Sequence, residues 1–362
     1  MIRTHLGDPD TVQDFGRIIE AASARALQDY PLVPANQEFK RYLALTDYVE
    51  RYVTVIHLHC IIGVEAYDHP ELVQLFATFN TTVDQAMGLG MMLPSFLRFL
   101  TGISVSWSYS RFRKIFLPII KRRRSTPKAQ AADGTVDFLS FILDVVDDDE
   151  QAADLVTLTV WIGLRNLQIN VLSTLLDIIN APGLASSITE SLAGAKVADL
   201  NTFDTHSSQG TAWSKLRASM FESIRLCGPI TGPARIISSK HPLALASDPS
   251  VHLPTKQVAT LSSYYTHRQA WAYGPDAASF KAERFAAGGP DIGSTKFITW
   301  GLKGPHICPG MWFTQEAICV MVKALLLEYE FSPETVVADE EKYIYHAGVV
   351  TRKEAPVVVK RR

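Results

Sequence analysis

The residues best placed for chemistry lie in Trp300-Gly301-Leu302-Lys303-Gly304-Pro305-His306-Ile307-Cys308-Pro309-Gly310. A loop rich in Gly and Pro delivers Cys308 to the start of a helix predicted over 310–329. The unpaired N–H groups and positive end of a helix favour a thiolate over a thiol. Glycines on both sides let a large flat ligand approach the backbone. A single thiolate, with no second Cys or His at finger spacing, is poor for zinc, which takes four ligands. It suits haem, where one axial protein ligand suffices. Taken alone, Cys308 reads equally well as a buried cysteine in a turn.

Upstream stands a second set. Glu222 and Arg225 fall on one face of a helix predicted over 214–227, able to pair. Alone this is weak, because most such pairs are solvated. Arg235 follows in Gly232-Pro233-Ala234-Arg235. Then come His267-Arg268, Tyr273-Gly274-Pro275-Asp276 and Phe280-Lys281-Ala282-Glu283-Arg284-Phe285.

In this order the segments resemble the C-terminal half of the cytochrome P-450 family, of the fungal type. The resemblance is carried by Glu222 and Arg225, by Ala282-Glu283-Arg284-Phe285, by Arg235, and by Gly304, His306, Cys308 and Gly310. It is clear over 152–329 and looser over 1–124. It implies a mostly α fold with a small β region and one haem-thiolate monooxygenase-like domain over 1–362. The family's N-terminal strands and early helices have no counterpart. By the resemblance, Cys308 is the axial ligand of a haem iron, Arg235 and His306 contact the propionates, and Arg284 joins Glu222 and Arg225 in a structural triad. It also implies a small apolar substrate, a place in secondary metabolism, a separate reductase, and a site at the cytosolic face of the endoplasmic reticulum.

Two features depart from the family, and one apparent match is set aside. The aromatic that opens the cysteine loop sits one residue further out, as Trp300, which predicts a bulge. Trp107-Ser108-Tyr109-Ser110-Arg111 imitates an early family motif, but it lies too close to the long central helix and reads as chance. In that helix, Asn166 and Leu167 stand where an acid and a threonine are usual. A leucine neither donates a hydrogen bond nor anchors a water. These two oxygen-activation positions are therefore degenerate, which predicts poor coupling of electron use to product. It keeps open a peroxide-using enzyme or an isomerase, and a non-catalytic remnant. A cysteine hydrolase built on Cys308 and His267 is a more distant alternative.

The elements that must position these residues read as helices over 10–30, 36–63, 69–86 and 107–124, then 137–146 and a long apolar helix over 152–180. Polar linkers are expected at 125–134 and 201–210, short strands and turns over 230–285, and a strand at 357–359. The run Lys121-Arg122-Arg123-Arg124 reads as a solvated face or a docking face for a redox partner. Asp147 to Glu150 reads as a loop capping the long helix. The apolar stretch 87–100 reads as buried or interfacial, with a greasy patch for membrane or apolar substrate as the sharper reading. His57-Leu58-His59-Cys60 looks metal-like, but alternate residues on a helix point apart, so packing is expected.

The 362-residue chain is 47% hydrophobic and 20% charged, a globular composition. Its net charge of −2 gives no field to attract nucleic acid. Four scattered cysteines point to the cell interior rather than a disulfide scaffold. The first residues carry no apolar signal region, and no uncharged run reads as a transmembrane segment. Without a G-x-G-x-x-G or P-loop the chain is not expected to hold its own nicotinamide or flavin.

Overall fold

The computed structural model describes residues 5–125, 137–203, 210–227, 234–245, 248–337, 342–346 and 349–362. The linker at 126–134, most of the loop at 201–210, and the turns at Gly228-Pro229 and Gly232-Pro233 lie outside them.

Helix α1 (Pro9–Asp29) starts where Asp8 accepts a hydrogen bond from Thr11 N at 2.9 Å, with Pro9 opening the first turn. Its buried stripe Val12, Phe15, Ile19, Ala22 and Ala26 has helical spacing. Strand β1 (Phe39–Tyr42) follows, then α2 (Thr46–Ile62). This divides the single helix expected over 36–63. The cause is distant, because β1 pairs with the C-terminal strand, Tyr42 opposite Val357. Glu354 also accepts from Thr46 N at 3.2 Å and so caps α2 from across the chain.

Helices α3 (Glu71–Met92), α4 (Thr101–Ser125) and α5 (Phe138–Leu143) lead to α6 (Asp149–Asn180). Asp148 caps α6 by accepting from Gln151 N at 2.7 Å, as the acidic run predicted. Asp149 and Glu150 are not merely solvated, since they pair with Arg124 and Arg113 at 2.7 and 2.9 Å.

The rest of the chain is shorter pieces around two helices. It runs α7 (Leu184–Leu192), α8 (Ser214–Leu226), β2 (Ala234–Ile236), β3 (Leu243–Leu245), β4 (Asp248–Leu253), β5 (Val258–Thr260), α9 (Ser263–Thr266) and α10 (Ala270–Tyr273). Then come α11 (Met311–Glu328), β6 (Tyr329–Pro333), β7 (Tyr343–His346), β8 (Val349–Arg352) and β9 (Val357–Arg361). The sheets are small: β1-β9-β6, β2-β5, β3-β4 and β7-β8.

Helices α1, α2, α6 and α11 pack in a ring as a four-helix core, with α4 and α8 laid on α6. Phe15 sits at the α1–α11 seam, its ring 5.4 Å from Phe313 and 4.7 Å from Phe138. Truncating such a sealed ring costs about 3–5 kcal/mol. Among the described residues, α6 is one helix long and apolar enough to cross a membrane by length and composition. Here it is the central core helix.

Two surface expectations change. In the stretch 87–100, described apolar side chains stand on the surface rather than in the core: Met92, Phe96 and Phe99 are 84%, 73% and 68% exposed. The basic end of α4 is not an open cationic face. Arg123 is half-buried between Glu65 and Asp137, at 2.7 and 2.6 Å, and Arg124 holds Asp149. Lys121 stays exposed.

Candidate active site

The site is built on α8. Glu222 and Arg225 are fully buried and meet through two parallel hydrogen bonds, Arg225 Nε to Oε2 at 2.8 Å and Nη2 to Oε1 at 2.7 Å. Arg284, from the 3-10 turn Ala282–Phe285, adds its Nε to Glu222 Oε1 at 3.1 Å. The backbone N–H of Lys281 donates to the same oxygen at 3.0 Å. Further donors go to carbonyls, Arg225 Nη1 to Ala277 O at 2.6 Å and Arg284 Nη2 to Asp276 O at 2.7 Å, and Arg284 Nη2 also reaches the Asp276 carboxylate. A carboxylate so saturated tolerates burial, where a bare one would not. Lys281 and Arg284 hold the Asp276 carboxyl down to about 2. The expected triad of Glu222, Arg225 and Arg284 is therefore assembled, with Asp276 as a fourth member that sequence reading had noted but given no role.

The cysteine loop hangs on this network. Gly293 has φ 77°, and a Cβ there would lie 2.8 Å from Lys303 N, so only glycine lets the two strands of the loop touch. Lys303 N donates to Gly293 O at 2.9 Å, Gly301 N to Ile298 O at 2.9 Å, and Cys308 N to Trp300 O at 2.8 Å. The displaced Trp300 thus serves as the carbonyl that anchors Cys308. Its ring packs among Phe221 and Phe297, at 6.3 and 5.8 Å.

Cys308 is a free, half-buried thiol. Burial raises its pKa, and a hydrogen bond with the Gly310 backbone draws it back only in part. The helix start thus favours the thiolate in the expected direction, but by itself it does not offset the cost of burial. A bound cation would supply what is missing. The other cysteines, Cys60, Cys227 and Cys319, are fully buried and pushed far up by that burial.

Residues Leu302 to His306 are exposed, as are Arg235 on β2 and His306 itself. Among the described residues no cluster of three or more His, Cys, Asp or Glu could hold a bare metal ion. One free thiol on this loop, with the exposed His306 two residues before it, fits a haem in donor chemistry.

On α6 the expected pair separates. Leu167 is 2% exposed and belongs to the core. Asn166 is exposed, and its Nδ2 donates back to Ile162 O at 3.1 Å. Ile162 and Leu158 share that open face, while Trp161 packs towards Phe79 at 6.3 Å. A Cβ on Gly163 would lie 2.9 Å from the buried His57 ring, so α2 and α6 touch there. Burial holds His57 down to about 4, as a neutral packing residue.

Trp107 and Arg111 lie exposed on α4. His267 is buried, with Nδ1 2.9 Å from Arg225 O and Nε2 3.1 Å from Ile298 N. Both ring nitrogens are engaged, so it is not a base for Cys308, which removes the hydrolase reading. Sequence reasoning gave these hydrogen bonds no signal, because they join segments far apart in the chain.

Comparison with known proteins follows the same residues. The chain is 21% identical over 337 residues, 87% of its length, to cytochrome P450 monooxygenase 71 of Postia placenta, and spans 66% of that protein. A family model described as cytochrome P450 matches residues 23–360, taking in both the buried Glu-Arg helix and the cysteine loop. The chain therefore belongs to the cytochrome P450 family, whose cofactor is a haem with a cysteine thiolate as axial ligand.

Proposed function

We propose that the thiolate of Cys308 holds the haem of this chain, and that the chain oxidises a small apolar organic molecule of the kind made in secondary metabolism, with electrons from a separate reductase. The observation that carries the reading is the free, half-buried Cys308 thiol on a loop tied by hydrogen bonds through Trp300 and Ile298 to the Glu222 helix. Arg235 and His306 would take the propionates. When bound, the haem supplies the oxidising chemistry. The chain binds and orients it, and the apolar face of Leu158 and Ile162 would meet substrate. The test is the reduced carbon-monoxide spectrum, expected to show the red-shifted thiolate band and to lose it in Cys308→Ala. Retention of the band in that variant refutes the assignment, and a chain that takes up no haem indicates a non-catalytic relative.

A second reading has its own support. Leu167 is sealed in the core and the Asn166 amide is spent on its own helix, so neither offers a hydroxyl for proton delivery. That favours a catalyst using peroxide, or an isomerase, which needs no reductase.

The exposed patch of Met92, Phe96, Phe99, Ile103 and Trp107 would rest on a lipid surface. Arg111 and Lys114 continue the Ile103–Trp107 stripe of α4 at helical spacing and are exposed. An apolar patch followed by cations suits a bilayer with anionic headgroups, including the cytosolic face of the endoplasmic reticulum.

A further inference from the structure

We infer that His267 is a positioning residue that sets the place of Cys308, by joining the α8 helix to the cysteine loop through its two ring nitrogens. This rests on the reading of Cys308 as the haem ligand.

The geometry is a relay. Arg225 O is a carbonyl and only accepts, so the Nδ1 beside it at 2.9 Å must carry the proton. Nε2 then holds the lone pair, and it accepts from Ile298 N at 3.1 Å. A neutral imidazole in this one tautomer satisfies both partners. Burial, with the Arg225 and Arg268 charges beside it, keeps the ring neutral, down to about 3. The ring also stacks on Phe297, centroids 5.5 Å apart and planes 22° apart, which fixes its rotation.

The relay continues along the loop. Ile298 O takes Gly301 N at 2.9 Å, and Trp300 O, between them, takes Cys308 N at 2.8 Å. The amide of Ile298 is thus tied from one side to the helix of Glu222 and from the other to the backbone that holds Cys308. Ile298 is 2% exposed, so water does not replace His267 there. Arg225 enters twice. Its side chain makes the buried ion pair with Glu222, and its carbonyl receives the histidine. The network that stabilises the fold therefore also registers the sulfur.

Two isosteres separate this from plain packing. His267→Asn keeps a donor near the Nδ1 position but has no acceptor that reaches Ile298. His267→Gln places an amide oxygen near the Nε2 position and keeps that acceptor. The full-length chain is measured in two ways. With haem bound, the reduced carbon-monoxide spectrum reports thiolate ligation. Without haem, the rate of Cys308 alkylation by iodoacetamide, read by peptide mass spectrometry, reports the loop's hold on the sulfur, the other cysteines being buried.

His267→Asn should lose the thiolate band and speed alkylation by on the order of tenfold, the change that one unpaired buried donor represents. His267→Gln keeps the Ile298 acceptor but gives up the Nδ1 donor to Arg225 O, so it should fall between wild type and His267→Asn in both. Wild-type behaviour of both variants overturns the inference. Equal loss in both, failure to fold included, also overturns it, because bulk packing would then be the role. If the wild type itself lacks the thiolate band, the haem reading fails, and the alkylation ratio still decides the role of His267.

Discussion

Arg284 Nε stands 3.1 Å from Glu222 Oε1, the same oxygen that accepts Arg225 Nη2 at 2.7 Å. One buried carboxylate oxygen thus serves two guanidinium groups and the backbone N–H of Lys281. Removing the carboxylate strands Arg225, which is fully buried, without a counter-charge.

Glu222→Ala should accordingly cost about 3–5 kcal/mol and yield aggregated or haem-free protein. Glu222→Gln keeps the shape and should remain soluble but less stable. The check is soluble yield and urea midpoint of the two variants beside wild type. A soluble, normally stable Glu222→Ala would contradict the burial seen here.

The division between Asn166 and Leu167 makes a sharp comparison. Restoring the family's threonine at Leu167 places a hydroxyl inside the core and removes buried methyl groups, a loss of about 2 kcal/mol. A threonine at Asn166 lies on the open face of α6 instead. We expect Asn166→Thr, and not Leu167→Thr, to raise product formed per reducing equivalent. Tight coupling in the wild type would show that another group or an ordered water delivers the proton.

Stability should respond to pH in one direction at Glu316 and in the opposite direction at two buried histidines, His57 and His267. Glu316 on α11 is buried near Arg217, and its carboxyl is pushed up to about 8. Between its ordinary value of 4.5 and about 8 the folded chain keeps a proton that the unfolded chain releases. Its contribution therefore falls as pH rises through that interval, by about 1.4 kcal/mol per unit. Glu316→Gln should flatten the alkaline side of the stability profile. His57 and His267 are neutral when folded, held down to about 4 and 3. Below 6.5 the unfolded chain binds protons that they refuse, so stability falls with pH on the acid side. Urea midpoints across pH 4–9 for wild type and Glu316→Gln check both arms.

The lipid-facing patch predicts a surface effect without a stability effect. Phe96→Ser with Phe99→Ser should leave thermal unfolding within about 0.5 kcal/mol, since both rings are exposed. Co-sedimentation with phosphatidylserine-containing vesicles should drop several-fold. Unchanged sedimentation would show that the patch does not touch lipid.

Much of this site was legible in the sequence because its signals are local. Gly and Pro shape the loop that presents Cys308, and a spacing of three sets Glu222 and Arg225 on one helix face. The apolar periodicity of α1 and the length of α6 announce core helices in the same way. Other features depend on partners outside the local segment, some of them hundreds of residues away. Phe39–Tyr42 becomes a strand because β9 needs a neighbour, and α2 begins at Thr46 because Glu354 caps it. Lys121 to Arg124 looks like one basic face, yet Glu65, Asp137 and Asp149 pair with three of its four cations. Neighbours in sequence can also part company in space, since one helical step of about 100° turns Leu167 into the core and leaves Asn166 on the open face. His267 acquires its role only when folding sets Arg225 O and Ile298 N on either side of one imidazole. Spacing along the chain encodes which groups are available, and packing between distant segments decides which of them meet.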